Sequence, residues 1–161
     1  MILTGDLNSF PGSGVVDLIK KGKIDGSNQD FRDYLPKYYS EFIHQLNKGK
    51  SDVVDHMFLE HNFKFESVFE KDLAKDDKIS SKYSNCTNYT SDFVDMIDYI
   101  FISPKIVVIE KKDILNEKMK EILKSWDSLK NNNMKSLCPL ILPNSHFPSD
   151  HLFLRVLLEL K

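Results

Sequence analysis

Apolar residues along this chain come in short runs whose spacing keeps changing. Ile2 and Leu3 run into Gly5, and residues 1–5 read as a buried strand with almost no chain before it. Ser13 then precedes Val15, Val16, Leu18 and Ile19 at helical spacing, with Gly22 behind them. A capping hydroxyl, an apolar stripe and a left-handed stop predict a short helix. Residues 25–34 are polar and read as loop, whereas Tyr39, Phe42, Ile43 and Leu46 predict a surface helix from Tyr38 to Asn47.

The segment 61–70, HNFKFESVFE, alternates Phe63, Phe65 and Ser67 and predicts extended chain. Residues 71–85 are charged, Ser-rich and aperiodic, which predicts an exposed loop. IDYIFIS (97–103) and KIVVIEK (105–111) are β-rich runs broken at Ser103-Pro104, the pattern of a hairpin. Leu115, Met119, Ile122, Trp126 and Leu129 mark an amphipathic helix fading at Asn131. A loop with Pro139, Pro143 and Pro148 leads to a last strand, Leu152 to Leu160. The result is a mixed α/β chain with strands clustered at both ends and no internal repeat or linker.

Composition narrows the function. The 161 residues are 41% hydrophobic, enough for one domain with a real core. Lys and Arg number 22 against 24 Asp and Glu, which argues against binding nucleic acid by bulk electrostatics; a phosphate substrate would have to be held by local groups or a metal. Cys86 and Cys138 form no framework and no zinc-type CxxC pair, which suits a reduced intracellular protein. The longest apolar runs are too short for a bilayer, so no membrane role is expected. Asn85-Cys86-Thr87 and Asn88-Tyr89-Thr90 match the glycosylation sequon and are read as incidental.

Three blocks put polar groups at the ends of apolar runs: Gly5-Asp6-Leu7-Asn8, Ile97-Asp98-Tyr99-Ile100-Phe101 and Pro148-Ser149-Asp150-His151. A carboxylate inside a hydrophobic run is expensive unless paired or metal-bound. Asp98, between Ile97 and Tyr99, needs a partner, and His151 is the candidate, since a carboxylate orients an imidazole and stabilises its cation. Asp150 is then left to face a divalent metal. His44, His56, His61 and His146 lie in no such motif.

Taken in order, GDLNSFPGS, TNYTSDFVDMIDYIFIS and LPNSHFPSDHLFL resemble the endonuclease/exonuclease/phosphatase superfamily, the deoxyribonuclease I-like fold. They are most similar to the branch holding the deadenylase of the carbon catabolite repression–NOT complex, nocturnin, Angel and the 2',5'-phosphodiesterases. The family pattern is close to GDFNSxPxS, IDYIFxS and PSDH, and Leu7 replaces the commoner Phe. HNFKFESVFE also resembles a family run, whereas residues 25–60 match poorly and suggest an insertion.

The resemblance implies a four-layer α/β/β/α sandwich with mixed, mainly antiparallel sheets and flanking helices. It implies that residues 1–161 are the C-terminal part of one domain, beginning inside a central strand. The family's N-terminal half supplies a magnesium-binding Glu, a phosphate-holding Asn and a further His, and none of those motifs stands in this sequence. Residue by residue, Asp6 resembles the Asp that orients or deprotonates the attacking water, and Asn8 the Asn on the scissile phosphate. Asp98 and His151 resemble the pair that stabilises developing charge, Asp150 a magnesium carboxylate, and Phe93 a ring that stacks on adenine.

The activity so implied is a magnesium-dependent 3'-exoribonuclease on poly(A), with manganese as a substitute ion. The implied partners are an RNA 3' end, the missing half-domain and deadenylase-complex subunits. The implied location is cytoplasmic, with the nucleus a second one. The isolated chain is expected to be inactive, because half a site gives half the charge compensation. Two alternatives stay open: another phosphodiesterase or nucleotide phosphatase of the superfamily, such as a 2',5'-phosphodiesterase, and a binding or scaffold relative without catalysis.

Overall fold

The computed structural model describes residues 1–38, 57–70, 85–115 and 141–161. Three expectations fall outside them but for one end residue each: the helix from Tyr38 to Asn47, the loop over 71–85 and the amphipathic helix from Leu115 to Leu129; Cys138 also lies outside the described residues. The chain divides into two compact units, Pro11–Glu66 and the remainder, Met1–Phe10 with Ser67–Lys161.

In the larger unit the apolar run at the N-terminus becomes β1 (Ile2–Asp6). It is not the buried strand the sequence suggests: every residue of it is exposed, with Ile2 at 50%. Among the described residues it has a neighbour on one edge only. The larger unit also holds β5 (Asn88–Tyr89), β6 (Val94–Asp95), β7 (Asp98–Ile102), β8 (Ile106–Lys111) and β9 (Val156–Leu160). β1 pairs antiparallel with β7, Ile2 opposite Ile102 and Asp6 opposite Asp98. The Met1 ammonium donates to Ser103 Oγ at 2.8 Å and pins the far end of the ladder.

The predicted hairpin of β7 with β8 does not form. β7 lies between β1 and β4 (Glu66–Ser67), so both of its edges are taken. The turn at Ser103, closed by Ile106 N–H to the Ser103 carbonyl, instead sends β8 to pair with β9, with a bulge between Val108 and Glu110. β9 itself is shorter than predicted, because residues 152–155 are not strand. The strand pattern also explains the core. Tyr99 and Phe101 point to one face of β7 and stack at 5.2 Å, both essentially buried. A second cluster gathers Cys86, Tyr89, Leu115, Leu142 and Leu152.

The smaller unit holds α1 (Gly14–Lys21), β2 (Lys23–Asp25), α2 (Gln29–Tyr38) and β3 (Phe58–Glu60). Ser13 has N-cap backbone geometry but its hydroxyl makes no cap bond. The Gly14 N–H goes instead to Asp30 Oδ2 at 2.5 Å, a carboxylate at the positive end of the helix. Gly22 ends α1 at φ 78°, and a Cβ there would meet the His61 carbonyl at 3.0 Å, so only glycine fits. Residues 25–34, expected as loop, carry the end of β2 and the start of α2. Asn28 provides the start signal, its side chain accepting the Phe31 N–H at 3.1 Å. β2 pairs antiparallel with β3. In the extended segment that follows, only Glu66–Ser67 enters a strand.

Candidate active site

The β1–β7 ladder ends in acid. Asp6 closes β1, Asp98 opens β7, and the two are direct cross-strand partners, so their side chains share one face. His151 comes from the far end of the sequence. An isolated antiparallel bridge to Asn88 holds it, and its neighbour Leu152 donates to the Thr87 carbonyl at 2.6 Å. The imidazole thereby meets both carboxylates. Nδ1 lies 2.8 Å from Asp98 Oδ2, a hydrogen bond, and Nε2 lies 3.9 Å from Asp6 Oδ2. The first distance is a good charge-assisted bond; the second is too long for a direct one.

The hydrogen bond to Asp98 holds the His151 pKa above its ordinary value. Partial burial opposes that rise, and the negative charges of Asp98, Asp150 and Asp6 add to it. With Nδ1–H donated to Asp98, Nε2 is the nitrogen that faces Asp6. An open cleft of about 520 Å³ is lined by Asp6, Asp98 and His151, with Tyr99, Ser149 and Phe153 among its other walls.

Asn8 sits in the turn after β1 at φ 46°, a left-handed conformation that asparagine tolerates. Its N–H donates to Asp6 Oδ1 at 2.8 Å and fixes that carboxylate. Tyr99 Oη lies 2.8 Å from the Ser9 carbonyl and ties the same turn to β7. Burial pushes the Tyr99 phenol well up, so it remains a donor.

Asp150, next to His151, does not join the trio: Oδ2 accepts from Asn88 Nδ2 at 3.4 Å, and the residue is not in the cleft lining. Phe93 lies beyond the turn between β5 and β6, its N–H bonded to Thr90 Oγ1 at 3.1 Å. The residue is 41% exposed and so is not core, but it does not line the cleft either.

Sequence reasoning overlooked Thr87 and Asn88, which stand in the quoted block TNYTSDF. What marks them is burial in the fold, Thr87 at 0% exposure and Asn88 at 5%, which a linear pattern does not show. Their burial, with Asn85 at 8%, also keeps both sequon asparagines out of solvent.

Asp6, Asp98 and His151 are the one group of three or more metal-capable side chains found close together among the described residues. The donor chemistry divides them. A hard divalent ion such as magnesium prefers carboxylate oxygens and water, and His151 is already committed to Asp98 on Nδ1. The hard donors of this group are therefore carboxylates, Asp6 foremost, and Asp150 is not among the three.

No protein-family model matches the chain. Among curated proteins it is 31% identical to CCR4-NOT transcription complex subunit 6-like-B of Xenopus laevis over 160 residues, 99% of this chain and 24% of that protein. It is 28% identical to the CCR4-Not complex 3'-5'-exoribonuclease subunit Ccr4 of Mycosarcoma maydis, over 94% of this chain and 17% of that one. Among solved structures it resembles ANGEL2, a 2',3'-cyclic phosphatase, in complex with adenosine-2',3'-vanadate. The TM-score there is 0.58 at 25% identity, over 99% of this chain and 44% of that chain. The chain thus spans less than half the length of each of these relatives. Its mainly antiparallel strands and few helices fit part of a deoxyribonuclease I-like α/β domain. The likeness of the chain thus runs to the endonuclease/exonuclease/phosphatase superfamily, in the branch of the Ccr4-type deadenylases and Angel proteins, and the chain corresponds to a C-terminal part of their length.

Proposed function

We propose that the protein is a magnesium-dependent 3'-exoribonuclease that shortens poly(A) tails, with this chain carrying one side of its active site. The observation that carries the reading is His151, hydrogen-bonded to Asp98 at 2.8 Å with its other nitrogen turned toward Asp6. Phosphodiester hydrolysis needs an oriented water and a positive group beside the phosphate. Asp6 takes the first role, held by the Asn8 N–H, and accepts the proton of the attacking water. His151, kept cationic by Asp98, donates Nε2–H to a phosphate oxygen. Water adds to phosphorus, the bond to the 3' oxygen breaks, that oxygen takes a proton from solvent to become a 3'-hydroxyl, and a 5'-mononucleotide is released from a chain shortened by one.

Asn8 contacts the scissile phosphate in this reading, and the exposed ring of Phe93 stacks on adenine. Asp150 would hold magnesium, or manganese in its place, and the ion when bound supplies charge neutralisation at the phosphate. The poly(A) reading draws support from the 3'-5'-exoribonuclease named among the relatives. The proposed partners follow from the same source: an RNA 3' end and the other subunits of a deadenylase complex, met in the cytoplasm or nucleus. Among the described residues no helix is long and apolar enough to cross a membrane.

We also propose that residues 1–161 form the C-terminal part of a single domain, with residues 25–60 an insertion. The exposed Ile2 and Leu3 of β1 support an N-terminal half-domain as the neighbour of that strand. By itself the 161-residue chain is then expected to be inactive, because the charge developing on the phosphate would be met by the groups of this half alone.

A second reading, hydrolysis of a 2',3'-cyclic phosphate, is favoured by the likeness to ANGEL2. The test sets the full-length protein with magnesium against 3',5'-linked oligoadenylate, 2',5'-linked oligoadenylate and an RNA ending in a 2',3'-cyclic phosphate. Stepwise shortening of the first substrate is expected. Exclusive action on either of the others would replace the deadenylase reading, and inertness toward all three would point to a scaffold.

A further inference from the structure

Thr87 lies behind the Asp98–His151 pair and touches the backbone on both sides of it. The residue is fully buried. Its Oγ1 accepts two hydrogen bonds of 3.0 Å, one from the Ile97 N–H and one from the Asp98 N–H. Its own N–H donates to the Asp95 carbonyl at 3.0 Å, and its carbonyl accepts the Leu152 N–H at 2.6 Å. One residue thus fixes the entry of β7 at Asp98 and the chain one position beyond His151. The next two residues extend the clamp: Asn88 bridges to His151, and the Tyr89 N–H donates to the Asp150 carbonyl at 3.1 Å.

The chemistry explains why a hydroxyl stands there. Two consecutive N–H groups at the start of β7 turn toward the buried Thr87, one fully and one partly buried, where an unpaired donor is costly. A hydroxyl oxygen has two lone pairs and can accept from both at once; a methyl cannot, and a thiol accepts only weakly. The carboxylate of Asp98 leaves the backbone at one of these two bonds. A shift there is transmitted to the 2.8 Å contact with Nδ1, and a bond of that length tolerates little displacement.

We propose that Thr87 is a positioning residue: its buried hydroxyl sets the strand entry so that Asp98 meets His151. The proposal rests on the phosphodiesterase reading for its consequence in turnover, but its geometry can be tested without turnover. The readout is the proton on His151 Nδ1, which a short bond to a carboxylate moves far downfield in the proton NMR spectrum of the full chain. Thr87→Val keeps the shape and removes the acceptor, and Thr87→Ser keeps the acceptor and removes the methyl. The downfield proton is expected to survive in T87S and to vanish in T87V. Should T87V fail to fold by circular dichroism, T87C takes its place, with the same loss expected.

In the active full-length protein the acceptor-less variant is expected to lose about tenfold in kcat with KM unchanged, the mark of misplaced catalytic groups. A downfield proton kept by T87V or T87C, or lost equally in T87S, overturns the proposal. A parent protein that shows the proton but hydrolyses no adenylate substrate overturns the functional reading and leaves the positioning role to the spectrum.

Discussion

Asp6 and Asp98 stand directly opposite one another where the β1–β7 ladder ends, with His151 2.8 Å from the second and 3.9 Å from the first. Two carboxylates opposed across a strand pair repel each other. A cationic imidazole between them relieves that repulsion, and the pairing accounts for the raised pKa of His151.

Removing the Asp98 charge is therefore expected to bring the His151 pKa down, because its largest cause is the hydrogen bond to that carboxylate. Asp98→Asn followed by NMR titration of the His151 ring measures this, and Asp6→Asn, a weaker cause, is expected to lower the value less. The sign for stability follows. The folded pKa is raised, so the pair stabilises the fold fully at pH below the unfolded histidine value. That contribution fades as pH climbs through the folded value. The stability advantage of wild type over D98N in urea melts is expected to shrink as pH rises through the folded value.

At pH above the His151 transition the two carboxylates have no cation between them. Asp6→Asn is expected there to stabilise the fold by about 0.5 kcal/mol while abolishing hydrolysis in the full-length protein. Below the transition the gain is expected to shrink, since the imidazolium then pairs with the charge being removed. Thermal melts on both sides of the transition check this, and an unaltered difference between them would refute it.

Phe93 offers a separation of binding from folding. Its ring is 41% exposed, so Phe93→Ala is expected to leave stability within about 0.5 kcal/mol. Base stacking contributes ~1–3 kcal/mol, so KM for oligoadenylate is expected to rise about tenfold in the full-length protein. A wild-type KM in F93A would remove the ring from substrate recognition.

Cys86 is fully buried, and desolvation pushes its thiol up to about 12. It is expected to resist iodoacetamide at pH 8 in the folded protein and to react once urea unfolds the chain. Peptide-level mass spectrometry distinguishes it from Cys138; labelling in the native state would show that the cluster around Tyr89, Leu142 and Leu152 opens.

Much of the site can be read locally. Apolar runs ending in Asp6 and Asp98 are visible without a fold, because a strand's periodicity and the cost of a carboxylate within it are short-range matters. The cost of leaving Asp98 unpaired also pointed to His151, and the C-cap at Gly22 was written in the chain. What the tertiary structure alone decided was pairing. Ser103-Pro104 suggested a hairpin, but β7 had its edges filled by β1 and β4, so β8 went to β9. Asp30, 16 residues away, replaced the Ser13 hydroxyl at the start of α1. The Thr87 hydroxyl under Asp98 and the diversion of Asp150 to Asn88 belong to the same class. Each is a choice among distant partners settled by which donors and acceptors burial leaves unpaired, and a linear pattern does not contain that information.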